Sequence, residues 1–309
     1  MMRTRLLLLG CLATACGGNF SNGDLEFLNA LPAREDLSAK LPGAESFERM
    51  GLALGELSQL YANTRQVADG FNKMPAEGLF LMEELRKDSP TTRAPTLRIW
   101  GPMENPSHPG VEMRLKMERK PEGFQYRLEF RPMGSNEGAW WPIAEGSAQP
   151  DGGLRKGKGT LSILTAEIRN HGIDEPWLSG LERVDIDYQT SAPPMSVRMD
   201  FVPTATSSEA RQRYAYRELP DGLGEMRFQS EDIDLVPGGQ KEKVVALSRW
   251  TRDQGGIGIL EATGGDVPAG STATLVECWD ASFRVTYRKS ATDEVGNASA
   301  CPDVSALGD

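Results

Sequence analysis

Histidine is nearly absent from this chain: His108 and His171 are the only two in 309 residues. His108 sits in the Pro-rich loop Asn105-Pro106-Ser107-His108-Pro109-Gly110, and His171 in a polar loop after Asn170. Neither has a partner at metal-ligand spacing, so a zinc site or a Ser-His-Asp triad would have to be assembled from distant segments. Both read as surface-loop residues. A Gly-x-Ser-x-Gly elbow, a His-Glu-x-x-His helix and a Walker loop are missing too. The expectation is a non-enzymatic protein with no catalytic residue and no cofactor. Basic residues are outnumbered, 34 against 44 acidic, for a formal charge of −10. That balance disfavours nucleic acid and anionic headgroups as partners. Long apolar runs are absent except at the N-terminus, where Leu6 to Ala13 is too short for a permanent membrane-spanning helix.

That N-terminal stretch has the layout of an export signal: Arg3 and Arg5, the apolar run, then the small residues Ala13, Thr14 and Ala15 before Cys16. Leu12-Ala13-Thr14-Ala15-Cys16-Gly17-Gly18 resembles the lipobox of type II signal peptides. In that class cleavage falls just before the cysteine, whose thiol carries diacylglycerol. The pattern usually has Leu three residues before the cysteine, where this chain has Ala13, with Leu12 one further back. Cys11 would leave too few apolar residues ahead of it. The resemblance implies lipidation at Cys16, attachment to the membrane through the acyl chains, and a place in the cell envelope. Two or three such chains make a stable anchor. Gly17, where the class has aspartate for inner-membrane retention, leans toward the outer membrane. Losing Arg3 and Arg5 with the leader takes the mature charge to about −12.

Four cysteines then divide simply. Cys11 leaves with the leader, Cys16 takes the lipid, and Cys278 and Cys301 remain as an even pair in an exported chain, which suggests a disulfide.

The residues after cleavage suffice for a large core. The chain divides into a signal peptide (1–15), the lipidated cysteine and a tether (16–43), a helical segment (44–90) and a β domain (91–309) packed with it as one unit. Gly17 to Gly23 reads as flexible. Leu25, Phe27, Leu28 and Leu31 form an apolar clasp onto the main domain. Phe47, Met50, Leu54, Leu57, Tyr61, Thr64, Ala68 and Phe71 recur at steps of three and four, which predicts a helix over Ala44–Phe71. A second helix is expected over Pro75–Lys87, burying Leu79, Met82 and Leu85.

Beyond Thr96 the period becomes two. Val111, Met113, Leu115 and Met117 alternate with charges, and after the turn Lys120-Pro121-Glu122-Gly123 so do Phe124, Tyr126, Leu128 and Phe130. The alternation recurs at Val184–Tyr188, Val197–Phe201, Tyr214–Tyr216, Met226–Phe228, Val244–Trp250, Ile257–Ile259, Leu275–Trp279 and Phe283–Tyr287. No crossover helices fit between these strands, so the expected fold is α+β, mainly β. It is a large curved antiparallel sheet of about a dozen strands, open or a half-barrel, with the N-terminal helical segment packed on it. Gly157-Lys158-Gly159, Gly222-Leu223-Gly224 and Gly256-Ile257-Gly258 each lead into a strand. A nucleotide loop would lead into a helix.

Asp185 and Asp187, and Asp232 and Asp234, each flank an isoleucine and would share one face of a strand. They are weak candidates for a metal or an acid–base pair against the plainer reading of a solvated face. Trp140-Trp141-Pro142 and Trp100-Gly101-Pro102 suit an aromatic platform for a glycan or lipid or, more commonly, a core. Met113, Met117, Met199 and Met226 suit either a core or a greasy pocket.

Cys16-Gly17-Gly18, Leu28-Asn29-Ala30-Leu31-Pro32, Trp100-Gly101-Pro102, the Gly-x-Gly strands and Glu277-Cys278-Trp279-Asp280 together resemble lipoproteins of uncharacterised function abundant in myxobacteria. The resemblance implies no activity. The leading expectation is therefore a structural or interacting envelope lipoprotein with an envelope-protein partner. The alternative is a binding module or carrier for a lipid or other apolar ligand, similar only in layout to lipoprotein-carrier folds. A hydrolase using the aspartates comes third.

Overall fold

A computed structural model describes residues 20–43, 53–173, 179–207 and 210–308, with the backbone alone at 74–78. Fifteen strands form one antiparallel sheet whose spatial order is their order in the chain. They are β1 (Thr92–Ala94), β2 (Leu97–Glu104), β3 (Val111–Lys120), β4 (Gly123–Pro132), β5 (Trp141–Pro150), β6 (Gly157–Ile163), β7 (Leu181–Gln189) and β8 (Met195–Pro203). The series continues with β9 (Gln212–Glu218), β10 (Gly224–Ile233), β11 (Glu242–Thr251), β12 (Gly255–Thr263), β13 (Ala273–Trp279), β14 (Val285–Lys289) and β15 (Glu294–Gly296). The sheet is open, with β1 and β15 as its edges. The edge strands are three residues each, too short for a visible alternation, so the sequence suggests about a dozen strands and the structure has fifteen.

The alternating strands place their apolar residues on one inner face. Met113, Leu115, Met117, Tyr126, Leu128, Val184, Ile186, Val197 and Met199 are all at most 5% exposed and belong to one core. The β3–β4 hairpin closes with Lys120 opposite Gly123, leaving Pro121 and Glu122 as the turn. The outer face carries cross-strand ion pairs such as Arg114–Glu129 and Arg131–Glu112, both 2.6 Å.

Helix α1 (Asn22–Ala30) starts inside the stretch expected to be a tether. Ser21 and Asp24 form a reciprocal capping box, with the Ser21 amide donating to Asp24 Oδ2 at 2.8 Å and the Asp24 amide to Ser21 Oγ at 3.2 Å. Phe27 and Leu31 are fully buried, and Phe27 meets Phe124 edge-on, so two of the four clasp residues dock as expected. Leu25 faces outward. Leu37 is buried as well, and Ala39 exchanges two hydrogen bonds with Asn72. Residues 22–43 are thus packed structure and not a tether.

Helix α2 (Gln59–Leu85) replaces the two expected helices with one. Residues 44–52 lie outside the described residues, but 53–58 are not helical. Gly55 adopts φ +79°, Leu57 bridges Arg284, and the Gly55 amide donates to the Val285 carbonyl at 2.9 Å. This segment runs beside β14, so the apolar period through Leu54 and Leu57 imitates a helix that tertiary pairing overrides. Ser58 then caps the true start, accepting from the Tyr61 amide at 3.1 Å. Pro75 lies inside the helix without ending it. The cost of one lost backbone bond is offset by Phe71 on one side and Leu79, Met82 and Leu85 on the other, all buried.

A helix of 27 residues is about 40 Å long. It touches β2 and β3 at one end and β10, β11 and β12 at the other. Ten strand spacings laid flat would span about 48 Å, so the sheet curls toward the helix that crosses its inner face.

The Gly-x-Gly strands acquire a physical reason here. Gly159 faces Tyr188 across the β6–β7 ladder, Gly224 faces Trp250 across β10–β11, and Gly256 faces Trp279 across β12–β13. At Gly224 a Cβ would stand 2.5 Å from the Trp250 indole. These glycines leave the room into which an aromatic ring from the next strand lies. In the first half of β12 the inner positions, Gly256 and Gly258, are therefore glycines, and Ile257 and Ile259, expected on the dry face, point outward. The C-terminal segment is tied to that outer face through Arg249 and Cys278, the cross-strand partners of Ile257. Cys278 and Cys301 are disulfide-bonded with Cα atoms 5.3 Å apart, Arg249 Nη2 donates to the Gly308 carbonyl at 2.6 Å, and Leu307 is buried.

Candidate functional site

The first turns of α2 sit tightly on the sheet. Gly258 lets Leu60 approach so closely that an added Cβ would come 2.9 Å from the leucine Cβ. One turn on, the Thr64 and Ser248 hydroxyls hydrogen-bond at 2.5 Å, both buried. Ser58 Oγ donates to Glu277 Oε1, which also lies 3.4 Å from the Leu60 amide. Glu277 is fully buried, and its Oε2 has no hydrogen-bond partner among the described residues. Burial pushes this carboxyl up, against the Ser58 hydroxyl, the Leu60 amide and the more distant Arg288 charge, which favour the ionised form. Ser248, Gly258 and Glu277 are successive partners on one inner-face row. The helix N-terminus is fastened to that row by polar contacts.

Beside this fastening an open apolar cavity of about 450 Å³ runs along the flank of α2. Its helical wall is Leu60, Thr64 and Val67, with Asn63, Gln66 and Gly70 at the mouth. Steps of three and four along α2 put these residues on adjoining stripes. The sheet wall comes from Tyr214 of β9, Met226 and Phe228 of β10, Val244 and Ala246 of β11 and Leu260 of β12. Ile233 and Leu235, where β10 turns toward β11, form the outer lip. Phe228, Ala246 and Leu260 are only partly covered by protein. A Cβ at Gly70 would meet nothing within 4 Å.

No charged residue is among those lining the cavity. Its one titratable group is the Tyr214 phenol, pushed by burial up to about 12 and so neutral. Volume, apolar walls and a few neutral polar groups match the usual make-up of a small-molecule site, roughly 300–1,000 Å³.

The residues singled out in the sequence lie elsewhere. Cys16 falls outside the described residues. Asp185 sits on the outer face of β7, accepting from Ser162 Oγ at 2.7 Å and Arg183 Nε at 2.8 Å, while Asp187 is exposed. Asp232 pairs with Lys241 at 2.5 Å, and Asp234 accepts from the Gly238 amide at 2.9 Å. The four aspartates are not brought together, and no group of three potential metal ligands occurs among the described residues.

His171 is exposed but stacks on Trp141 at 3.9 Å. Trp141 is otherwise core, as is Trp100, and the Trp140 ring is covered by the guanidiniums of Arg114 and Arg131 at 4.2 and 4.4 Å. None of the three presents a glycan platform. Met113, Met117 and Met199 fill the core, and only Met226 reaches the cavity. Sequence reasoning missed Gly70, Ala246 and Glu277. The combination of a helical Gly with small residues on β11 is the one signal that could have pointed to the cavity.

No helix among the described residues is long and apolar enough to cross a membrane. Compared with protein families, with curated proteins and with solved structures, the chain matches none.

Proposed function

We propose that this protein is a lipid-anchored envelope protein whose sheet-and-helix domain binds an apolar small molecule in the cavity beside α2. The observation that carries the binding role is the cavity itself: Phe228, Ala246 and Leu260 form an apolar wall that the described residues cover only in part. Leaving such surface open costs about 25 cal/mol per Å² relative to covering it, so an apolar ligand has a direct driving force. A purely structural role gives no reason for an open apolar cavity next to a filled core, and its concave shape suits a small molecule. The anchor rests on the Leu12–Gly18 motif, and the envelope location, on the outer-membrane side, follows from it. Neither converging carboxylates nor an activated nucleophile lines the cavity, which favours binding over hydrolysis.

Two measurements test this. Cys16→Ala should abolish incorporation of labelled palmitate and release the protein from membranes; unchanged labelling refutes the anchor. The full chain as Cys16→Ser, which carries no acyl group and needs no detergent, should enhance the fluorescence of 1-N-phenylnaphthylamine saturably. Gly70→Leu should suppress that enhancement, and enhancement equal to that of the parent would refute binding in this cavity.

A further inference from the structure

The cavity also constrains the polar end of its ligand. We infer, building on the binding role proposed above, that it selects a single-chain lipid whose head is uncharged, such as a monoacylglycerol or fatty alcohol. Three observations converge on that chemistry. No lysine, arginine or histidine is among the described residues lining the cavity, so a carboxylate or phosphate head would find no cation on those walls. The charges on the β10–β11 lip are of both signs and already engaged. Asp232 is paired with Lys241, Asp234 accepts from the Gly238 amide, and buried Glu242 accepts from the Leu235 and Asp266 amides at 3.1 and 3.0 Å. A charged head of either sign would find no unengaged partner on that lip. The polar groups the mouth does offer are neutral. The Asn63 and Gln66 side chains are exposed and make no hydrogen bond to the described residues.

An amide presents both donors and an acceptor, the complement of hydroxyl groups, which also donate and accept. Burying an apolar tail while leaving hydroxyls at two amides satisfies both ends. Burying the same tail behind an unpaired charge does not. Selectivity in this scheme comes from what the walls lack, with chain length set by the cavity and head type by its mouth.

Three probes of one chain length separate the possibilities on the full chain as Cys16→Ser: 1-monomyristoylglycerol, myristate at alkaline pH, and myristyltrimethylammonium, each below its aggregation concentration. Displacement of 1-N-phenylnaphthylamine should show the glyceride binding at least about tenfold tighter than either ion, a difference within reach of one unpaired charge. Gly70→Leu should weaken the glyceride by a similar factor while its melting temperature stays at or above the parent's. Asn63→Leu with Gln66→Leu should reduce the preference for the glyceride over the ions. Equal or tighter binding of myristate or of the ammonium overturns the uncharged-head assignment and leaves the apolar-ligand role standing. Failure of all three probes to bind overturns that role and this inference with it. An unchanged preference in the Asn63/Gln66 double variant overturns the part assigned to the amides.

Discussion

Thr64 of α2 and Ser248 of β11, 184 residues apart in sequence, share a buried hydroxyl–hydroxyl hydrogen bond of 2.5 Å. It marks the line along which the helix is fastened, and the cavity begins beside it. Removing one partner strands the other in an apolar setting. Thr64→Val or Ser248→Ala alone should each cost about 1–2 kcal/mol of stability, and the pair together less than the sum. Strict additivity in a denaturant double-mutant cycle would show that the two hydroxyls do not act on each other.

Two glycines on facing elements should respond in opposite directions to the same change. Gly224→Ala drives a methyl into the Trp250 indole and should destabilise by about 1–3 kcal/mol. Gly70→Ala adds a methyl in open space to a helix interior and should stabilise by up to about 1 kcal/mol. Paired thermal melts decide this. Equal effects would contradict either the ring-on-glycine packing or the open cavity wall.

Asp24 ties α1 to the sheet edge, receiving Arg98 Nε at 2.6 Å and Arg93 Nε at 3.0 Å while fully buried. Burial by itself raises its carboxyl, but the Ser21 amide and hydroxyl and the two guanidiniums outweigh it and hold the group well below the usual carboxylate range. Its contribution is therefore complete above the unfolded value near pH 4 and declines as the pH falls below that. Asp24→Ala should cost about 3 kcal/mol near neutrality. The Asp24→Asn deficit should shrink on acidification from about pH 5 to about pH 2. A deficit that is flat with pH would mean the carboxylate is not what holds α1.

Glu277 carries the opposite sign. Its raised carboxyl keeps its proton better in the folded chain than in the unfolded one, so its contribution is full below about pH 4 and is lost as the pH rises toward its folded value. Relative to the parent, Glu277→Gln should gain melting temperature as the pH rises above about 4. The reverse trend would show that Ser58 and the helix N-terminus stabilise the ionised form enough to overcome burial.

Much of the architecture is legible in the chain because half-buried antiparallel strands announce themselves. Met113 to Met117 and Phe124 to Phe130 alternate without a break, and Pro121 and Glu122 occupy a two-residue turn. The pairing of Cys278 with Cys301 follows from cysteine arithmetic. Reading fails where a tertiary contact outweighs a local pattern. Leu54 and Leu57 fit a helical period, yet Gly55 turns the chain and Leu57 joins Arg284. Ile257 and Ile259 look like core residues until Trp250 and Trp279 are seen to need the glycines beside them. The cavity was invisible for a related reason. A pocket is defined by what does not fill it, and Gly70 or Ala246 taken singly carries no mark of the space opposite; only the two together hint at it.

The most direct test of the binding role is native mass spectrometry of the full chain, as Cys16→Ser, isolated without detergent from the organism that makes it. The account predicts an added mass of one single-chain lipid, released by organic solvent, on the parent and missing from Gly70→Leu. A bare polypeptide mass for both proteins, or the same adduct on both, would contradict it.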